Sequence, residues 1–418
     1  SSYHSVLLNK DINVNGGGTV NITTNNGGTD RTNGGHINFA QSNGGALNIN
    51  GNAYTLLYSA SDLQKMQQQR QVADNNYFAL ANDVDLSNVS FAPITNMANG
   101  RFDGLGHVVA NMTLTDNQYN PLGFFATNAM FLANFGVENG NITSTGRAGL
   151  IAADQRNSAD NVWSTGSVVG NNETGGLFGT QNEWDANKHT LSASYSTATV
   201  TGSTSGGLVG QGWIVSDSYH TGNVTGKAFA GGIAGLLNDG GTMPASVTNS
   251  YTSGTIEGNG GDAGGIIGGS TNKTVSLVNV SSDADVSGAY AGGLAGILSA
   301  TTSSIQNSYA DGAITSKSKA GGLVGQNQGN LTITDAYAAG DVTQSGASGG
   351  FAGGLVGQNQ GTLTVSNAYS YNPVSADPNS SADGIAVNSG AGTTALTNVY
   401  YNSDVSSTAT AATGLTYN

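Results

Sequence analysis

The sequence predicts an all-β chain folded as a parallel β-helix, a solenoid of three-strand coils with one short helix. Three observations predict it. A Gly-Gly-apolar-X-Gly unit recurs about every thirty residues, an aromatic residue recurs in phase with it, and the segments between are short and β-branched rather than helical in period.

The glycine unit stands at Gly175 to Gly179, Gly206 to Gly210, Gly231 to Gly235, Gly264 to Gly268, Gly292 to Gly296, Gly321 to Gly325 and Gly353 to Gly357. Successive copies start 31, 25, 33, 28, 29 and 32 residues apart, a fixed unit with loops of varying length. The aromatic signal is Trp163, Tyr195, Tyr219, Tyr251, Tyr309, Tyr337, Tyr369 and Tyr400, with Val280 read as its replacement in one copy. Each unit then holds three strand-like pieces: one rich in Val and Ile, the Gly-Gly-Leu piece, and an alternating piece such as Leu331-Thr332-Ile333-Thr334. Three strands and three corners make a coil. Stacked about 4.8 Å apart, such coils would line their interior with ladders of Leu, Val, Ile and Tyr. The glycine pairs suit corners where φ is positive or where a Cβ would strike the coil beneath. Propeller blades need four antiparallel strands and longer repeats.

Arg147-Ala148-Gly149-Leu150-Ile151 and Pro121-Leu122-Gly123-Phe124-Phe125 read as degenerate copies of the unit. Residues 121–418 are therefore assigned to the glycine-repeat coils. Residues 1–53 carry a shorter alternation, Ile12 and Val14, Val20 and Ile22, Ile37 and Phe39, Leu47 and Ile49, which predicts narrower coils. Between them, residues 54–120 form a transition segment. Its helix is expected near residues 61–70, opened by Ser61 and Gln64 at capping-box spacing.

Composition fits this architecture. Among 418 residues, 64 are Gly, 5 are Pro, 9% are charged and 37% hydrophobic, so Asn, Ser, Thr and backbone must wet the surface. Disordered chains lack such regularly spaced apolar residues. A net charge of −14, from 12 basic and 26 acidic side chains, argues against nucleic acid or an anionic membrane as partner. With no Cys, disulfides, zinc-thiolate sites and thiol nucleophiles are excluded together. Ser1 to Lys10 shows no signal-peptide pattern and no run is apolar enough for membrane insertion, so a mature form or internal piece of a secreted protein is expected.

The Gly-Gly-Leu-X-Gly units resemble the GLUG repeat of large bacterial surface proteins, among them filamentous-haemagglutinin-like exoproteins and some immunoglobulin-A-cleaving peptidases. The stretches Tyr54 to Leu63, Tyr77 to Leu86 and Gly100 to His107 look like the segment that introduces such repeats in two-partner secreted exoproteins. The resemblance implies a right-handed β-helical fibre at the bacterial outer surface, exported through an outer-membrane partner transporter. It also implies a role in adhesion, aggregation or biofilm-matrix binding.

Parallel β-helices also carry polysaccharide lyases and hydrolases, whose sites need clustered acids and bases. The candidates are Asp154, Arg156, Asp160, Glu173, Glu183, Asp185, Lys188 and His189, which read as loop positions. A fold alone does not establish such a site, and the chain is expected not to be an enzyme. No cofactor is expected either. The pairs Asp83-Val84-Asp85 and Asp283-Ala284-Asp285 could bridge Ca²⁺, against the plainer reading of solvated carboxylates.

All three tryptophans fall between Trp163 and Trp213. Trp184 and Trp213 each follow a glycine unit and are expected at the same corner of neighbouring coils. With Glu183, Asp185, Asn187 and His189 they have the makings of a glycan ledge, since a pyranose stacks on an indole while its hydroxyls need donors and acceptors. The alternative is that both indoles simply cover that corner. The recurring tyrosines read as structural stacks. The partner expected is thus an extracellular polysaccharide or host-surface glycan.

Overall fold

The computed structural model describes residues 6–23, 30–32, 34–41, 44–69, 76–181, 189–238, 244–271, 274–346, 349–403 and 413–415. A representative coil runs through strands Thr274–Ser282, Asp285–Gly292 and Ala295–Leu298. The next repeats it at Thr302–Ala310, Ile314–Gly321 and Val324–Asn327. Equivalent residues sit in parallel register, Leu277 beside Ile305, Val286 beside Ile314 and Ala295 beside Val324. The chain is therefore an elongated parallel β-solenoid. Its third face is a ten-stranded parallel sheet starting at Phe125–Asn128 and Ala152–Gln155, the strands of the two degenerate units.

The interior is aliphatic and continuous. Val215, Val247, Leu277, Ile305, Ile333 and Val365 form one buried column, and Val200, Val224, Ile256, Val286, Ile314 and Val342 another. Each such side chain contributes about 1.5–3 kcal/mol by leaving water. Where the third face turns, the filling is polar. Asn327 donates to Asn359 and Asn359 to Asn388, both at 2.8 Å, which satisfies buried carboxamides coil by coil.

The glycine pairs do not adopt positive φ. Close approach explains them: a Cβ on Gly293 would be driven into the Gly322 carbonyl and the Ala310 Cβ. Asparagine, with aspartate in two coils and Ala193 in one, takes the left-handed positions. Asn161, Asp217, Asn249, Asn279, Asn307, Asp335, Asn367 and Asn398 have φ between 49° and 55°, a region that Asn tolerates better than most residues. Their side chains bond along the stack, Asn249 to Asp217 and Asn279 to Asn249 at 3.0 Å each.

This left-handed residue also corrects the placement of the tyrosines. Along Ala245–Thr252, Val247 points inward; the αL residue Asn249 then shifts the alternation by one, so Ser250 and Thr252 point inward and Tyr251 outward. The aromatic column lies outside the coil, not in its interior. The same shift moves the interruption in that column. Val280 is buried beside Ser250, and Ser281 is what pairs with both Tyr251 and Tyr309.

The helix α1 spans Ala60–Gln69. Its cap is Ser59 with Asp62 rather than Ser61 with Gln64: the Ser59 Oγ accepts from the Asp62 N–H at 3.3 Å, and Asp62 accepts from the Tyr58 N–H at 3.2 Å. Gln64 instead donates to the Ala92 carbonyl at 2.9 Å, and Leu63 and Met66 bury the inner side of α1. No helix among the described residues is long and apolar enough to cross a membrane.

In the amino-terminal part, Val6–Leu8, Ile12–Val14 and Thr19–Ile22 pair in parallel with Asp30–Thr32, Ile37–Phe39 and Ala46–Ile49. Ala46–Ile49 then pairs antiparallel with Asn52–Leu57, which joins the main stack through Asn76–Leu80. These coils bury Ile37, Phe39, Leu47 and Ile49 in a small core of their own with Ala79, Ala81 and Leu105. They lie alongside the solenoid, with Ile37 N–H bonded to the Leu105 carbonyl at 3.1 Å.

Candidate functional site

Of the expected glycan ledge, Glu183, Trp184, Asp185 and Asn187 lie outside the described residues. His189 is buried, and Trp213 is only 8% exposed. Its indole N–H donates to the Gln181 carbonyl of the preceding coil. The indole folds down over the Gln181 backbone instead of standing out as a ledge. The expectation of an exposed Trp213 is thereby corrected.

The acids considered for catalysis also differ from expectation. Asp154, Asp160 and Glu173 are strand residues, not loop residues. Asp154 is buried against Arg156 at 2.8 Å, Asp160 accepts from Ser192 at 2.7 Å, and Glu173 pairs with Arg147 at 2.9 Å. Lys188 lies outside the described residues. Among the carboxylate pairs, Asp83 meets His107 at 3.0 Å and Asp85 accepts from Asn111 at 2.8 Å. Asp285 accepts from the Ala313 N–H at 3.0 Å. Among the described residues no group of three or more His, Asp or Glu side chains is placed to hold a metal ion.

What the coil register does assemble is an outward aromatic column. Gly136, Trp163, Tyr195, Tyr219 and Tyr251 succeed one another at one position of the first face. Ring centroids are 6.3 Å apart for Trp163 and Tyr195, 4.9 Å for Tyr195 and Tyr219, and 5.0 Å for Tyr219 and Tyr251, all within 11° of parallel. Tyr309, Tyr337 and Tyr369 form a second stack at 4.9 and 5.2 Å. Inside each stack the ring faces cover one another, leaving edges and hydroxyls for solvent. Tyr251 and Tyr309 each lack a ring on one side, whereas Trp163 is backed by Gly136. Burial, and secondarily the neighbouring phenols, raises the Tyr195 and Tyr219 hydroxyls above their usual range, so they remain protonated donors.

At the Trp163 end the column meets the amino-terminal coils. A cleft of about 320 Å³ opens there, with Glu138, Asn161, Trp163 and Tyr195 on one wall and Gly34, Gly35, His36 and Gly106 on the other. The Trp163 indole N–H donates to Glu138 Oε1 at 3.2 Å, and the ring sits directly over Gly136, where any Cβ would displace it. His36 stacks on His107 at 5.3 Å, each imidazole beside a carboxylate, Asp11 at 2.8 Å and Asp83 at 3.0 Å. Hydrogen bonds from His36 and from His107 hold the Asp11 and Asp83 carboxyls below their usual range. An indole, a carboxylate, a carboxamide and an imidazole thus converge on one concave surface. Trp163 belongs to the aromatic repeat, but Gly34, Gly35 and His36 of the facing wall lie more than a hundred positions upstream, which no local motif reveals.

No family model matches the chain. The likeness to GLUG-repeat exoproteins therefore rests on the repeat pattern. The chain is 32% identical over 139 residues to Halomucin of Haloquadratum walsbyi, a match covering 29% of this chain and 2% of that protein. It is also similar to the crystal structure of a Bacteroides ovatus protein provisionally described as an immunoglobulin A1 protease. That similarity has a TM-score of 0.48 and 21% identity, over 71% of this chain and 82% of the other.

Proposed function

We propose that the chain is a non-catalytic, elongated segment of a secreted bacterial surface protein, an adhesin or biofilm-matrix component, which holds an extracellular polysaccharide in the Trp163 cleft. The cleft carries this reading. A sugar ring needs one apolar surface for its C–H face and several polar groups for its hydroxyls. The ring edges of Trp163 and Tyr195 that line the cleft supply the first; Glu138, Asn161 and His36 supply the second. The solenoid would act as the spacer that presents the cleft away from the cell, after export through an outer-membrane partner transporter as the GLUG resemblance implies.

Absence of catalysis is part of the same reading. Asp154 and Glu173 are neutralised by Arg156 and Arg147. A glycosidase needs two carboxyl groups free to act across one bond. The loop with Glu183, Trp184, Asp185 and Asn187, which leads to His189 and the corner holding Trp213, is retained as a second glycan contact.

The test is a panel of acidic and neutral polysaccharides against the purified chain, read by calorimetry and by release of reducing or unsaturated ends. Saturable binding, lost in Trp163→Ala and weakened but not lost in Trp184→Ala, with no product, is the expected result. Binding indifferent to Trp163→Ala removes the cleft from consideration, and polysaccharide cleavage replaces the adhesive reading with an enzymatic one.

A further inference from the structure

The outward aromatic column is interrupted once, at Ser281, where both neighbouring coils carry tyrosine. Flanking rings repeat every 4.9 to 5.0 Å, so Tyr251 and Tyr309 stand two steps, about 10 Å, apart. The space between them has the thickness of one planar group, and a group placed midway would meet each ring at the distance the rings keep among themselves. Of the two rings that border it, Tyr251 is 44% exposed and Tyr309 is half-buried.

The rim of this slot is acidic. Two residues beyond the aromatic position, the register brings Asp283 and Asp311 to adjacent coils, flanked by Ser253 and Ala339. Among the described residues neither carboxylate is in an ion pair. Burial, and next the Asp283 charge, raises the Asp311 carboxyl. The Tyr337 hydroxyl is pushed up to about 12, by burial first and then by Asp311. In both, burial is the larger cause and a neighbouring carboxylate the next.

We propose that this slot is a docking site for an arginine side chain of a basic partner protein, its guanidinium layered between Tyr251 and Tyr309 and its N–H groups directed to Asp283 and Asp311. A guanidinium is planar, stacks on aromatic faces and presents a fork that carboxylates accept. A lysine ammonium is not planar and gains only the charge term. A neutral ring gains only the stacking.

The test uses the whole chain with labelled tyrosine rings, followed by NMR during titration with arginine amide, lysine amide or a methyl glucoside. Arginine amide is expected to shift Tyr251 and Tyr309 saturably, with weaker binding by lysine amide. Ser281→Tyr, which completes the column, should weaken binding by roughly tenfold or more while leaving the unfolding midpoint no lower than that of the unmodified chain. Ser281→Leu fills the slot differently and should do the same if the tyrosine variant misfolds. Asp283→Asn with Asp311→Asn should abolish the salt dependence of binding. The proposal is overturned by arginine binding that survives both filled slots, by equal binding of lysine amide, or by the glucoside occupying the slot in place of arginine.

Discussion

The phenol of Tyr195 lies 4.9 Å from that of Tyr219 and within 1° of parallel, although the residues are one coil apart and both face solvent. The outer surface of a solenoid is normally where sequence is free, so an aligned aromatic column there is a stacking device. It adds aromatic contact between coils where the inward Ser164, Ser196 and Thr252 offer little apolar area.

Removing a ring from the middle of a stack should therefore cost stability at a surface position. Tyr219→Ala leaves Tyr195 and Tyr251 without their shared neighbour. Aromatic pairs contribute about 0.5–1.5 kcal/mol each beyond area burial. The urea midpoint should fall by an amount corresponding to about 1–3 kcal/mol for two lost pairs. Tyr119→Ala, whose 71%-exposed ring belongs to no stack, should leave the midpoint unchanged.

The asparagine column calls for a different pair of variants. Asn249 has φ 49° and links Asp217 to Asn279. Asn249→Ala loses both bonds and puts a Cβ with no compensating polar group in the left-handed region, at about 1–2 kcal/mol for the conformation alone. Asn249→Gly loses the same bonds without that strain. Alanine should lower the unfolding midpoint more than glycine, and equal losses would mean the side-chain bonds, not the backbone conformation, are what Asn supplies.

The repeat made the solenoid legible because a parallel coil copies its register into spacing. Gly-Gly-Leu-X-Gly marks the entry to the third face at every turn, and the three-strand coil follows from it. The inside and outside of the first face were not legible by alternation. One αL residue per coil shifts the phase, and Asn249, Asn279 or Asn367 two residues before the aromatic position is the signal that carries this. The Trp163 cleft was illegible for another reason: His36 and Glu138 meet through the packing of separate coils, a relation that leaves no periodic trace. Trp213 could be placed at its corner from the repeat, but its orientation is decided by the carbonyl of Gln181.

Gly293 tests the close approach at the coil corner. A Cβ there meets backbone of the next coil at Gly322, which is not free to rotate away. Overpacking of this kind costs about 1–3 kcal/mol or more. Gly293→Ala should lower the unfolding midpoint and expose the neighbouring coils to limited proteolysis, whereas Gly260→Ala should be milder, since its strain is conformational and a Cβ at Gly260 meets open space.

His220 supplies a pH dependence. It is fully buried in a column whose other members are Ser196, Thr252 and Ser282, and neither ring nitrogen has a hydrogen-bond partner. The backbone at Ser196 and Gly222 lies near enough to favour the charged ring but without hydrogen-bond geometry, so burial wins and pushes the imidazole from 6.5 down to about 4. The folded chain thus binds this proton more weakly than the unfolded chain. Its neutral imidazole contributes full stability above pH 6.5, and stability falls as pH drops from there toward 4, where the folded state begins to protonate as well. A shift of this size corresponds to about 3 kcal/mol across that window. His220→Ser restores the hydroxyl column and removes the titrating group. The variant should start with a lower midpoint at pH 7, from the cavity left by the ring, and lose less on acidification than the unmodified chain. Parallel loss in both proteins between pH 6.5 and 4 would show that His220 is not the group responsible; the Asp11 and Asp83 carboxyls, held below their usual range, act only at lower pH.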